Sequence, residues 1–87
     1  MKTVEELYKE LTKKITEKNP ESKTVAEIEK GVHFIGKKIL EEAGEVWLAS
    51  EYEDKDRCAE EISQCIYHLL VMAIARDIPL EDIYRFL

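Results

Sequence analysis

The sequence predicts an all-α helical bundle: one domain over residues 1–87, with two long antiparallel helices and shorter ones per protomer, forming a dimeric four-helix core. Three observations predict it. Apolar residues recur at helical spacing along nearly the whole chain, with no strand-like alternation. The breaks are short and carry helix-ending residues. The run Ile62–Ala75 is apolar almost all round, which marks a helix buried on every side. A chain this small has too few other helices to surround it, so a second copy is the expected cover.

The elements follow in order. Thr3 and Glu6 have the spacing of a capping box, in which each side chain satisfies an orphan amide of the first turn. Val4, Leu7, Tyr8, Leu11 and Ile15 then form an amphipathic stripe, and Asn19-Pro20 ends it, because the residue before proline is pushed out of the α region. Thr24 and Glu27 read as a second capping box, opening a short helix that Gly31 can stop or bend. A long helix is expected from Val32 to about Glu53. Val32, Ile35, Ile39, Ala43, Val46 and Ser50 line one side of it, extended by Gly36, Leu40 and Trp47. Its two internal glycines, Gly36 and Gly44, each cost about 1 kcal/mol relative to alanine. Eight of the eleven residues from Glu51 to Glu61 are charged, which suits an exposed connection. Asp54 or Asp56 can cap the helix that follows, which runs to about Arg76. Pro79 suits the first turn of a last helix, with Leu80, Ile83, Tyr84 and Leu87 as its stripe.

The totals exclude several classes. Domains this small bury only roughly 60% of the surface their unfolded chains expose, so a staple, a metal or a partner is needed. Cys58 and Cys65 are the only cysteines. Seven residues apart on one helix they are separated by about 10 Å, whereas disulfide geometry needs Cα atoms closer than about 7 Å. A reducing, cytoplasmic compartment fits better than a stapled secreted fold. The N-terminal MKTVEELYKE lacks the apolar core of a signal peptide, and Ile62–Ala75 is too short and too polar to span a bilayer. A net charge of −6 repels nucleic-acid backbones. It also repels a small polyphosphate unless metal ions stand between protein and ligand.

Glu41, Glu42 and Glu45 spell EExxE on the long helix. Residues three or four apart share a helix face, so Glu42 and Glu45 can converge on one point with Glu41 beside them. Glu60, Glu61 and Gln64 open the apolar helix, and Glu61 and Gln64 have the same spacing. Two antiparallel helices can bring the two groups together. Carboxylate and amide oxygens are hard ligands, suited to Mg²⁺ or Mn²⁺. In a chain that is 37% charged, most EExxE strings are solvated helix faces. Placement argues otherwise here: the first group interrupts an apolar pattern, the second abuts the most buried segment, and carboxylates near a core want partners. Lys37 and Lys38, one turn earlier, can pair with the acids or grip phosphate oxygens. Arg57, Lys55 and Lys23 read as solvated charge. His68 shares a stripe with Arg57, Glu61 and Gln64 and reads as a packed histidine, and His33 as a structural one. Packing is the expectation for Trp47, Tyr67 and Met72.

The stretch GVHFIGKKILEEAGEVWLASE, followed by EEISQCIYHLLV after a charged spacer, resembles the phosphoribosyl-ATP pyrophosphatase family of histidine biosynthesis, in its short stand-alone form. The resemblance covers essentially the whole chain. EExxE alone is weak; KKxxEEAGEV, the downstream acidic pair, the IYHLLV run and the total length together are specific. The family sits within the all-α nucleoside-triphosphate pyrophosphohydrolases, whose wider pattern is ExxE, a spacer, then ExxD. Carried over, the resemblance implies Glu42, Glu45 and Glu61 as metal ligands, with Glu41 an accessory ligand or water-orienting base. Gln64 stands where the pattern has aspartate; its amide oxygen can still accept a metal bond, but it adds no charge. Lys37 and Lys38 are implied to neutralise charge on the substrate phosphates. The implied reaction is the Mg²⁺-dependent hydrolysis of 1-(5-phosphoribosyl)-ATP to 1-(5-phosphoribosyl)-AMP and pyrophosphate by a homodimer. The rival readings are a house-cleaning pyrophosphatase for non-standard nucleotides and a non-catalytic helical dimerisation module.

Overall fold

The computed structural model describes residues 1–87 as five helices: α1 (Val4–Glu17), α2 (Lys23–Lys30), α3 (Val32–Tyr52), α4 (Lys55–Ala75) and α5 (Leu80–Arg85). The all-α expectation holds, and the two long helices fall where the periodicity places them. The Thr3–Glu6 capping box at α1 is formed in both directions, with the Glu6 amide donating to Thr3 Oγ1 at 3.1 Å and the Thr3 amide to Glu6 Oε1 at 2.9 Å. The helix closes on Lys18 in the left-handed region (φ 54°), just before Asn19-Pro20.

The second capping box is not formed. Ser22 is the N-cap of α2, accepting from the Val25 amide at 3.3 Å. Starting the helix there turns Thr24 and Glu27 inward, where both are buried. Their side chains reach across to α4: the Thr24 hydroxyl lies 2.6 Å from the Tyr67 hydroxyl, and Glu27 Oε2 lies 2.7 Å from His68 Nδ1. Gly31 ends α2 and begins α3 at φ 93°, a conformation that L side chains rarely adopt.

The α3–α4 connection is shorter than the charge pattern suggests. Only Glu53 and Asp54 separate the helices, and most of the charged stretch forms the first turns of α4. Asp54 caps α4 by accepting from the Arg57 amide at 2.9 Å. So short a link forces the helices to run antiparallel as neighbours. Their register places Gly36 beside Met72 and brings Glu45 to Glu61. At its far end α4 closes in a Schellman motif: the Ile78 amide donates to the Ala73 carbonyl at 2.8 Å and that of Asp77 to Ile74 at 3.1 Å, with Asp77 left-handed at φ 57°.

The core lies at that end. Leu11, Ile35, Leu70, Val71 and Leu80 are buried together, with Leu7, Tyr8, Ile28, Ile39 and Ile83 packed around them. The Tyr8 hydroxyl donates to the Ile78 carbonyl at 2.8 Å, and the Tyr84 hydroxyl hydrogen-bonds Glu5, so the C-terminal segment is tied to α1 at two points. One face of the α3–α4 pair is bare. Leu40 and Trp47, expected to pack, stand 75% and 68% exposed, and Ile62, Ile66 and Leu69 of α4 are exposed as well. Trp47 Nε1 donates to Glu51 at 3.0 Å instead of entering a core. Gln64, expected inside the buried stretch, is exposed, and so is His33. Gly36 and Gly44 show no close backbone approach: an added Cβ would meet only Met72 Cε at 3.9 Å at the first, and nothing within 4 Å at the second.

Ile35 is fully buried in the one core cluster that joins α1, α3, α4 and α5. Ile35→Ala should lower the unfolding free energy by about 2–5 kcal/mol, the usual range for emptying such a site. Urea denaturation followed by circular dichroism measures it.

Candidate active site

The α3–α4 register builds the site. Glu42 and Glu45 lie on one face of α3, and Glu61 faces them from the first part of α4. One carboxylate oxygen from each of the three lies within 4.8 Å of the others. Glu61 is only 8% exposed, Glu42 is half-buried and Glu45 is exposed. Glu42 Oε2 and Glu61 Oε2 are buried without a hydrogen-bond donor. Buried carboxylate oxygens left unpartnered are costly, so the site needs a positive species. A proton is one answer. Hydrogen bonding with Glu45, then burial, then the charges of Glu45 and Glu42 push the Glu61 carboxyl up to about 7, against the opposing pull of Arg57. A divalent cation is the other. Three carboxylates with two orphaned oxygens make a hard, anionic donor set that fits Mg²⁺.

The remaining acids stand outside this point. Glu41 is exposed and pairs with Lys38 at 3.9 Å. Glu60 is exposed and bonds Arg57 Nη1 at 2.5 Å. Arg57 is fully engaged: it also meets Glu53 at 3.2 Å and Glu61 at 3.5 Å, so it steadies the acidic cluster.

Beside the carboxylates lies a cleft of about 580 Å³ walled by three helices. Lys23, Ala26, Glu27 and Lys30 form one face of α2; Phe34, Lys38 and Glu42 follow one another on α3; Gln64, Tyr67 and His68 close it from α4. Glu42 belongs to both cleft and carboxylate cluster, so the two are continuous. Lys38 faces the cleft. Lys37 is exposed and does not line it. Gln64 lines it too, on the same side as Glu42. His68 is packed, as its stripe suggests, but it also lines the cleft through its bond to Glu27. Glu27, Lys30 and Phe34 escape sequence reasoning. The one available signal is the spacing of Lys23, Ala26, Glu27 and Lys30 on a single helix face.

Fold and site define a class: a helical bundle that presents a three-glutamate centre at the edge of a cleft of the size that small-molecule ligands fill. Comparison narrows the class to a family. The family model for phosphoribosyl-ATP pyrophosphohydrolase matches residues 4–87. The phosphoribosyl-ATP pyrophosphatase of Bifidobacterium adolescentis is 62% identical over 85 residues, covering 98% of both chains. That of Salinibacter ruber is 55% identical over 87 residues and covers both chains completely. This chain belongs to the phosphoribosyl-ATP pyrophosphohydrolase family.

The raised proton affinity of Glu61 has a stability consequence. Its folded value, about 7, lies above the 4.5 of an ordinary glutamate, so between those values the folded protein holds more protons than the unfolded one. The metal-free protein should therefore lose melting temperature as pH rises from about 5 to 8. Glu61→Gln should flatten that slope, and Mg²⁺ should flatten it by replacing the proton. A scanning-fluorimetry pH series with EDTA, then with Mg²⁺, checks both. A parent protein whose melting point is level across the window would contradict the assignment.

Proposed function

We infer that this chain is a Mg²⁺-dependent pyrophosphohydrolase that converts 1-(5-phosphoribosyl)-ATP to 1-(5-phosphoribosyl)-AMP and pyrophosphate, the second step of histidine biosynthesis, in the cytoplasm. The observation that carries the chemistry is the convergence of Glu42, Glu45 and Glu61 with two buried oxygens lacking donors. Family membership along the full chain carries the substrate.

In this reading Glu42, Glu45 and Glu61 are the metal ligands, and Gln64 contributes its amide oxygen from the cleft wall. Bound Mg²⁺ supplies charge neutralisation of the polyphosphate and polarises its oxygens. The protein's own groups do the rest. Water adds to phosphorus, the α–β anhydride bond breaks, and pyrophosphate leaves. Glu41, exposed beside Glu42 and outside the three-carboxylate point, is assigned the accessory part of orienting that water or accepting its proton. Lys38, in the cleft wall one turn before Glu42, takes up charge on the phosphate oxygens, with Lys37 acting from the surface. A house-cleaning activity on non-standard nucleotides and a purely structural role are both distinct outcomes of one assay: pyrophosphate release from phosphoribosyl-ATP, set against ATP and dCTP.

Glu45→Gln and Glu61→Gln should each lower kcat/KM for phosphoribosyl-ATP by roughly 100-fold or more, on the scale of losing one electrostatic contact to a transferring phosphoryl group. Their melting temperatures without Mg²⁺ should hold or rise, because carboxylate repulsion is relieved. Near-normal turnover at limiting Mg²⁺ would remove that glutamate from the ligand set.

We also propose that the working unit is a homodimer. Between α3 and α4, Ala43, Val46, Ile62, Cys65, Ile66 and Leu69 line a groove with no polar residue. A second copy laying its own α3–α4 pair there completes a four-helix core. Light scattering at micromolar concentration should give about twice the chain mass of 10.2 kDa. A protein that remains a folded monomer would refute the dimer.

A further inference from the structure

The cleft is cationic at the end remote from the carboxylates. Phe34, Lys38 and Glu42 follow one another along α3 at intervals of one turn, so Phe34 lies about 12 Å along the axis from Glu42. At that end two ammonium groups converge on one ring: Lys30 Nζ lies 4.5 Å and Lys38 Nζ 5.6 Å from the Phe34 centroid. Lys38 shares its charge with Glu41. Lys30 makes no carboxylate ion pair; only the ring face partners it. The nearby acid of the cleft, Glu27, is 7% exposed and already committed to His68 at 2.7 Å. In a chain of net charge −6, an ammonium left over at the end of a cleft is suited to an anion.

We propose that Lys30, set over Phe34, is the specificity residue for the phosphate monoester at the far end of the substrate. The inference rests on the reaction proposed above. That substrate carries phosphate at both ends: the triphosphate to be cleaved, and the 5-phosphate of the ribose attached to the adenine ring. With the triphosphate at Glu42, Glu45 and Glu61, the purine lies along the α3 stripe and the second phosphate arrives at Lys30. A nucleoside triphosphate without the added ribose phosphate leaves Lys30 unused. Lys30 thereby separates the substituted nucleotide from the abundant ordinary ones, while touching none of the reacting atoms.

The test crosses a change in the ligand with a change in the residue. Binding of 1-(5-phosphoribosyl)-AMP and of AMP is measured by titration calorimetry with Mg²⁺, for the full chain and for Lys30→Ala and Lys30→Arg. Lys30 is exposed on the last turn of α2, and the melting temperature of each variant confirms its fold. The parent should favour phosphoribosyl-AMP by roughly 10- to 100-fold, the range for one hydrogen bond between charged groups. Lys30→Ala should erase most of that preference while AMP binds as before, and Lys30→Arg should keep it. For phosphoribosyl-ATP, KM should rise in Lys30→Ala with kcat nearly unchanged. An equal loss for both ligands, a preference that survives in Lys30→Ala, or a fall in kcat at constant KM would each overturn the proposal. A parent that releases no pyrophosphate would instead sink the hydrolase reading, and the binding comparison would still be readable.

Discussion

The two-residue connection at Glu53–Asp54 constrains everything downstream of it. It forces α3 and α4 to run antiparallel in contact, and helical geometry then fixes which residues meet. Glu45 comes to Glu61 near the connection, and Gly36 comes to Met72 near the core. Asp54 holds the start of α4 by capping it, so the register is anchored at the turn itself. Shifting α4 by one residue rotates its side chains by about 100° and would carry Glu61 out of the cluster.

That register creates an electrostatic debt at one end of the pair and repays it at the other. Hydrogen bonding with Glu45, burial and repulsion from Glu45 and Glu42 together raise the proton affinity of Glu61. Stability comes instead from the apolar cluster of Leu11, Ile35, Leu70, Val71 and Leu80, which lies toward the opposite end of α4. Separating the two along a rigid helix pair lets the carboxylates be held in a strained arrangement without melting. The same separation leaves the middle of α3 and α4 apolar and bare, which is why the protomer alone looks unfinished.

The cleft follows from α2. Because Ser22 caps that helix, its inward face carries Thr24 and Glu27, and their bonds to Tyr67 and His68 fasten α2 across α4. These polar groups join segments far apart in sequence and are spent on one another, so they position the wall without neutralising the lysines on its rim. Lys23 and Lys30 then open into the space that Glu42 closes.

Helix content, the extent of α3, the end of α4, the first capping box and the two acidic groups are legible in the sequence, because each is written in spacing along one helix. The carboxylates of Glu42, Glu45 and Glu61 are legible in the sequence as a hard, anionic donor set. Tertiary structure alone decided the rest. Glu41 is as close to Glu42 in sequence as any residue can be, yet it points to Lys38 and solvent, since neighbours on a helix differ by about 100°. Thr24 and Glu27 carry a valid capping pattern, but Ser22 starts the helix two residues earlier and their side chains are taken by α4. Trp47 fits an apolar stripe and Gln64 falls within an apolar run, yet both are exposed, because periodicity identifies a face and not what covers it. Which of two equally plausible partners a polar side chain takes depends on where the other helices stand, and that is a property of their packing rather than of local spacing.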